Sequence, residues 1–266
     1  MSMRRAVIAA LAAAMIVAGC TARPSPRPVP APVGSVPSAD EILASLAHRR
    51  AAVLALRAMA RVSYVSPDES RTVRQLLVVA RPDRLRLEIF SPFGTVFVLA
   101  AADGRLAAWA RDEATVYRGS ASAENLQRYA QVDLSVPTAV DLLLATPPLR
   151  DSDSSVVSVD GDAIELWQDL GDLVQAAWFS GALEPLRYEQ RAADGRVLLR
   201  TSFGDYAGGT AAAPIAGQVV IEQPQAQRRL DIALSDVEVN PVLPDSVFAL
   251  VAPTGSAVVD LDHTTP

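Results

Sequence analysis

Few residues in this chain have the type and spacing that covalent or metal chemistry needs. Cys20 is the only cysteine among 266 residues, so a disulfide within one chain is excluded. His48 and His263 are the only histidines. Neither has a partner at metal-ligand or triad spacing, and neither G-x-S-x-G nor H-E-x-x-H occurs. His48 falls on a segment of helical periodicity and His263 near the end of the chain, both reading as solvated side chains. Asp151, Asp153, Asp160 and Asp162 form the densest group of carboxylates. They lack the ligand order and glycine of a calcium loop, so they read as a solvated loop and hairpin turn. A hydrolytic carboxylate pair is assembled by folding rather than by spacing, and nothing in the sequence supports one. The expectation is a protein that is not an enzyme, with no catalytic residue, no metal and no cofactor.

The thiol of Cys20 has a context that assigns it another chemistry. Arg4 and Arg5 precede an apolar run from Ala6 to Ala18, which is shorter than the ~20 residues that span a bilayer and has the layout of a secretory signal. The run ends in Val17-Ala18-Gly19-Cys20. This resembles the bacterial lipoprotein signal, in which small residues precede a cysteine that is acylated and becomes the first residue of the mature chain. The resemblance implies that residues 1–19 are a signal peptide and that Cys20 carries the membrane anchor, palmitate included. Thr21, rather than aspartate, follows Cys20. Under the sorting rule of such lipoproteins, this implies the outer membrane, facing the periplasm.

Without residues 1–19 the chain holds 22 arginines against 30 acidic residues, a net charge of −8, and it contains no lysine. That balance disfavours nucleic acid and gives no general attraction to anionic surfaces. Residues 20–37 are a proline-rich tether (Thr21 to Pro37 reads TARPSPRPVPAPVGSVP). It cannot form a packed core and could hold a domain up to about 50 Å from a membrane. Residues 38–260 suit one β-rich domain, monomeric, with 261–266 as a tail.

The elements of that domain are organised around Arg84 to Ala102. Leu85, Leu87 and Ile89 alternate with Arg86 and Glu88, the pattern of a half-buried strand. After Ser91-Pro92-Phe93-Gly94 the chain runs Val96-Phe97-Val98-Leu99-Ala100, apolar on both faces, so both sides of this second strand need cover. The pair reads as an antiparallel hairpin with a large aromatic, Phe93, at its tip. Upstream, Ser38 and Glu41 form a capping box for a helix expected to reach about Arg57. Strands follow from Met59 and from Arg71 to Ala80. Asp103-Gly104, Asp160-Gly161 and Asp194-Gly195 mark tight turns, and Gly208-Gly209 a looser break.

Two helices interrupt the meander. One begins at Ser122 and the other at Ser135, with Pro137 in its first turn and Pro147-Pro148 beyond its end. Leu126, Tyr129, Val140, Leu143 and Leu144 are expected to face inward. A change of parity at Ser235-Asp236, between Leu230/Ile232/Leu234 and Val237/Val239, predicts a bulge. The reading is mainly β (α+β): a half-open antiparallel barrel of about eleven strands with a helical lid.

Three blocks resemble one family. Ser91-Pro92-Phe93-Gly94 and the stretch from Tyr117-Arg118-Gly119 to Pro148 resemble the loop and helical segment of LolB-like outer-membrane lipoprotein receptors, and the tail Val239-Asn240-Pro241 through Val247-Phe248 to Pro253-Thr254-Gly255 resembles the closing segment shared across the LolA/LolB superfamily. The resemblance implies an apolar cavity for acyl chains and a localisation chaperone that accepts acylated lipoproteins from a periplasmic, LolA-like carrier. It also implies a protruding loop, here Pro92, Phe93 and Gly94, that promotes membrane insertion. Cavity candidates are Leu85, Leu87, Ile89, Val96, Val98, Leu126 and Leu143. A carrier of another lipid and a structural envelope lipoprotein are the alternatives.

Overall fold

The computed structural model describes residues 36–152, 154–210 and 213–263. The signal peptide, Cys20, most of the tether and Asp153 lie outside the described residues. Helix α1 (Ala39–Ala52) starts on the expected capping box: the Ser38 amide donates to Glu41 Oε2 at 2.7 Å, and the Glu41 amide donates to Ser38 Oγ at 3.2 Å. It stops five residues before the expected end. Asn240, far along the chain, takes the backbone amides of Leu54 and Ala55 on its carbonyl (2.8 and 3.1 Å) and donates its amide to the Ala52 carbonyl at 2.8 Å. A distant side chain thus terminates the helix and starts the first strand, overriding the local periodicity.

From there the chain builds a single sheet. Its first half is β1 (Ala55–Val65), β2 (Ser70–Ala80), β3 (Arg84–Ser91), β4 (Gly94–Ala102), β5 (Arg105–Ala110) and β6 (Thr115–Ser120). Helices α2 (Ala123–Ala130) and α3 (Val136–Leu143) follow, capped by Ser122 and Ser135. The second half is β7 (Ser155–Asp160), β8 (Ala163–Asp169), β9 (Leu173–Phe179), β10 (Pro185–Ala192), β11 (Val197–Thr210), β12 (Ala213–Gln223) and β13 (Arg228–Val239), with β14 (Ala257–Asp260) last. The order is β14-β6-β5-β4-β3-β2-β1-β13-β12-β11-β10-β9-β8-β7, antiparallel except for the parallel pair β14–β6. β7 and β14 are edges that do not pair with each other, so the sheet stays open.

The fourteen strands among the described residues exceed the expected eleven or so. β7 and β14 were not anticipated because edge strands lack the alternation of a buried face: Val156, Val159 and Val258 are all exposed. The predicted parity slip is present. Arg57 pairs with Glu238 but Met59 with Ser235, and Asp236 sits at φ +52°. The two-residue turn after β7 is Gly161-Asp162, one residue later than expected, and Gly208-Gly209 fall inside β11 rather than breaking it.

Inward-facing residues of both halves meet the helices. Ile42, Leu56, Leu77, Leu99, Leu126, Leu142, Leu144, Phe179 and Tyr188 are fully buried in one core. The outer face of β2–β5 is covered too, as the apolar β4 requires. Residues 241–256 run across it as a strap, held where Arg86 donates to the Val247 carbonyl at 3.1 Å and where Arg84 pairs with Asp245 at 2.5 Å.

Candidate functional site

Between the inner sheet face and the two helices lies a cavity of about 190 Å³. β1 and β2 contribute Val62, Tyr64, Val73 and Leu77; β3 contributes Leu85, Leu87 and Ile89; β4 contributes Phe97. α2 and the turn after it supply Leu126, Tyr129 and Val132, α3 supplies Ala139 and Leu143, and β12 and β13 supply Ile221, Leu230 and Ile232. Five of the seven expected cavity residues (Leu85, Leu87, Ile89, Leu126 and Leu143) are therefore together. Val96 and Val98 are not, which corrects the expectation. Ile89 pairs with Phe97 but Phe90 with Thr95, so Val96 is the unpaired residue of a bulge and the parity of β4 shifts there. Val98 lies on the outer face, and Phe97 takes the inward place.

The cavity lies toward the end of the sheet that carries the β3–β4 loop. Phe97, Tyr129 and Tyr117 form an aromatic cluster there, with ring centroids 6.5 and 5.8 Å apart. Burial pushes the Tyr129 phenol up to about 12, so it stays a neutral donor. Arg71 stands over the Tyr64 ring at 5.6 Å, and with Gln75 and Gln131 it adds polar groups to mainly apolar walls.

The loop itself is a two-residue turn, Pro92-Phe93, closed between Ser91 and Gly94. The Phe93 amide donates to Ser91 Oγ at 3.2 Å, and Arg111 donates to the Phe93 carbonyl at 3.0 Å. Gly94 at φ +100° completes the turn in a conformation that side chains disfavour. With its backbone fixed in this way, the Phe93 side chain is 87% exposed, and Phe90 beside it is 47% exposed.

The helices are held by polar contacts that sequence reasoning missed. Asp141 on α3 pairs with Arg50 of α1 at 2.8 Å and with Arg81 at the end of β2. Arg81 also donates to Thr146 Oγ1 and to the Val53 carbonyl, both at 2.9 Å. Arg49 donates to the Ala145 carbonyl at 2.8 Å and to the Pro214 carbonyl at 2.5 Å. Burial lowers the pKa of both Arg49 and Arg81, and Asp141 opposes that shift for Arg81. In sequence these residues look like surface charges; only contacts across 28 to 165 residues, closed by the fold, make them a cluster.

The other end is held by Asp262. Its carboxylate accepts from the Ser120 amide at 2.8 Å, from Ser120 Oγ at 2.9 Å and from Asn125 Nδ2 at 3.1 Å. Gly119 permits this approach, since a Cβ there would lie 2.9 Å from Leu261 and Asp262. The hydrogen bonds from Ser120, backbone first, hold the Asp262 carboxyl below its usual range. A depressed carboxylate contributes stability that is full above its unfolded pKa near ~3.9 and is lost as pH falls through the lower folded value. Acidification below about pH 4 should therefore loosen Asp262 from Ser120 and Asn125, and hydrogen exchange at the Ser120 amide should rise in step. In Asp262→Asn that exchange should already be fast at neutral pH and lose its dependence on this titration.

The expected solvated residues sit as anticipated: His48 and His263 are exposed, as are Asp151, Asp160 and Asp162. Among the described residues no group of three or more His, Cys, Asp or Glu side chains could hold a metal ion. No described helix is long and apolar enough to cross a membrane.

No protein-family model matches the sequence, and no curated protein matches it. Solved structures do match in fold. A LolA superfamily protein from Nitrosomonas europaea shares 14% identity over 80% of this chain and 98% of its own, with a TM-score of 0.51. A domain described as an outer membrane lipoprotein-sorting protein, from Vibrio parahaemolyticus, shares 15% identity over 78% of this chain and 94% of its own, with a TM-score of 0.50. The chain thus has the LolA-like fold: an open, mainly antiparallel sheet with a helical lid.

Proposed function

We propose that this chain is an envelope lipoprotein that receives acylated lipoproteins from a periplasmic, LolA-like carrier and inserts them into the outer membrane, to which acylated Cys20 anchors it. The observation that carries this reading is the mainly apolar cavity under α2 and α3, combined with an exposed Phe93 in the loop that joins two of its wall strands, β3 and β4. Each buried CH₂ is worth about 0.8 kcal/mol, so an acyl chain leaves water only for another apolar surface. At about 190 Å³ the cavity is smaller than the roughly 300–1,000 Å³ of small-molecule pockets. This is the closed form, and loading requires the lid to lift. α2 is the part suited to move, since it buries only Asn125 and Leu126 whereas α3 buries six residues. No bond is made or broken, so no residue is assigned a catalytic role.

The test is transfer. The full chain bearing Cys20→Ala is mixed with a carrier loaded with a radiolabelled acylated lipoprotein, and label moving to the chain is measured. Transfer is expected, and Leu143→Trp, which fills the cavity, should reduce it at least tenfold. The small closed cavity also favours a second reading, a structural envelope module. A folded chain that takes up no cargo and no lipid would establish that reading and exclude the receptor.

A further inference from the structure

A cavity larger than the interior one lies on the outer face of the sheet. About 670 Å³ lies between β2–β5 and the strap. Its floor is Leu76, Val78 and Val98, and Leu243 and Val247 of the strap form the facing wall. The space exists because a polar post separates the two layers. Arg86 makes two contacts to Glu88 Oε2 (3.1 and 2.9 Å) while reaching the strap carbonyls, and Thr95 Oγ1 donates to Glu88 Oε1 at 2.7 Å. Glu88, the acid of this pocket, is thereby neutralised. Trp109, which also lines the pocket, has a buried indole N–H with no acceptor.

One row along the same face stand two arginines with nothing to balance them. Arg61 of β1 and Arg74 of β2 are directly opposed across the strands. Ser63 and Thr72, the next pair on that face, share a hydrogen bond at 3.0 Å. Among the described residues neither arginine makes an ion pair or a side-chain hydrogen bond, and residues 1–35 contain no carboxylate. Like charges directly opposite each other destabilise a sheet. Two exposed, uncompensated guanidinium groups beside a partly apolar cavity, on a chain of net charge −6, form the complement of an amphipathic anion.

We propose that the outer face holds a second lipid site, which takes a single anionic amphiphile with its acyl chain under the strap and its carboxylate or phosphate on Arg61 and Arg74. The site is separate from the interior cavity and does not depend on the receptor reading. It is tested by calorimetric titration of the full chain bearing Cys20→Ala with dodecanoate, dodecyl phosphate and the neutral dodecyl glucoside, each below its micelle concentration. Both anions are expected to bind at least tenfold more tightly than the glucoside. The double variant Arg61→Gln/Arg74→Gln should remove that preference while leaving the glucoside unchanged, and Val247→Trp on the strap should weaken all three. A preference for only one anion identifies the head group as carboxylate or phosphate. Leu143→Trp, which fills the interior cavity, should leave outer-face binding unaltered. Equal binding of all three amphiphiles, insensitivity to the double variant, or loss of binding in Leu143→Trp would each overturn the proposal. So would binding to anionic vesicles without binding to the monomeric amphiphiles, which would make this face a membrane contact instead.

Discussion

Replacing Asp141 with alanine should cost about 3–5 kcal/mol, the expected loss when one partner of a buried ion pair is removed. The reason lies in what is left behind. Asp141 is almost fully buried and satisfies Arg81, whose side chain is only 9% exposed. Without it, Arg81 keeps the Thr146 hydroxyl and the Val53 carbonyl as partners but has no counter-charge, with Arg49 and Arg50 nearby. Arg49 and Arg81, both buried, then repel each other where water has poor access, while the nearly half-exposed Arg50 adds a screened repulsion. At the two to four degrees per kcal/mol typical of this size, the melting temperature should fall by roughly 10 °C. Asp141→Asn, which keeps the shape but not the charge, should fall between wild type and alanine. A melting temperature unchanged in both variants would show that the cluster does not hold the lid.

The second large effect is expected at Phe93 and should leave stability alone. Phe93 is almost fully exposed, and the turn is shaped by Ser91, Gly94 and Arg111, not by the phenyl ring. Burying a phenylalanine in an apolar medium is worth about 1.5–3 kcal/mol, or roughly 10–100-fold in an equilibrium. Phe93→Glu should therefore accept cargo from a carrier as before but deliver it to vesicles 10–100-fold less well. Phe93→Leu should restore most of the delivery. If Phe93→Glu delivers normally, the loop has no part in insertion.

Much of the fold was legible because it rests on local rules. Capping at Ser38, Ser122 and Ser135, the Asp103-Gly104 turn and the bulge at Asp236 each depend on residues within a few positions of one another. The cavity was legible in part, since alternation placed Leu85, Leu87 and Ile89 on one face. It failed at Val96 and Val98 because a bulge changes parity without changing composition: a strand apolar on both faces gives no sign of which side is in. The walls from β12 and β13 were not foreseen, because only their pairing with β1 brings Ile221, Leu230 and Ile232 to the cavity. The end of α1 and the Asp141 cluster were missed for the same reason. Each is decided by a residue distant in sequence.

The position of β1 in the sheet bears on how the chain reaches its native state. The strands fall into two ladders, β1–β6 and β7–β13, each made of neighbours joined by short connections that can pair as they emerge. The seam between them, β1 against β13, joins Tyr64 to Leu230 and Val62 to Ile232. Contacts of such separation form late, because the intervening chain must first give up its freedom. A chain made from its amino terminus thus holds β1 with one open edge until nearly its last strand has followed. Through that interval both the edge and the cavity-lining leucines are open to association. Folding of the two ladders is therefore coupled through one seam. The interior pocket comes into being only when the final quarter of the chain arrives with Ile221, Leu230 and Ile232, so no shorter intermediate contains it.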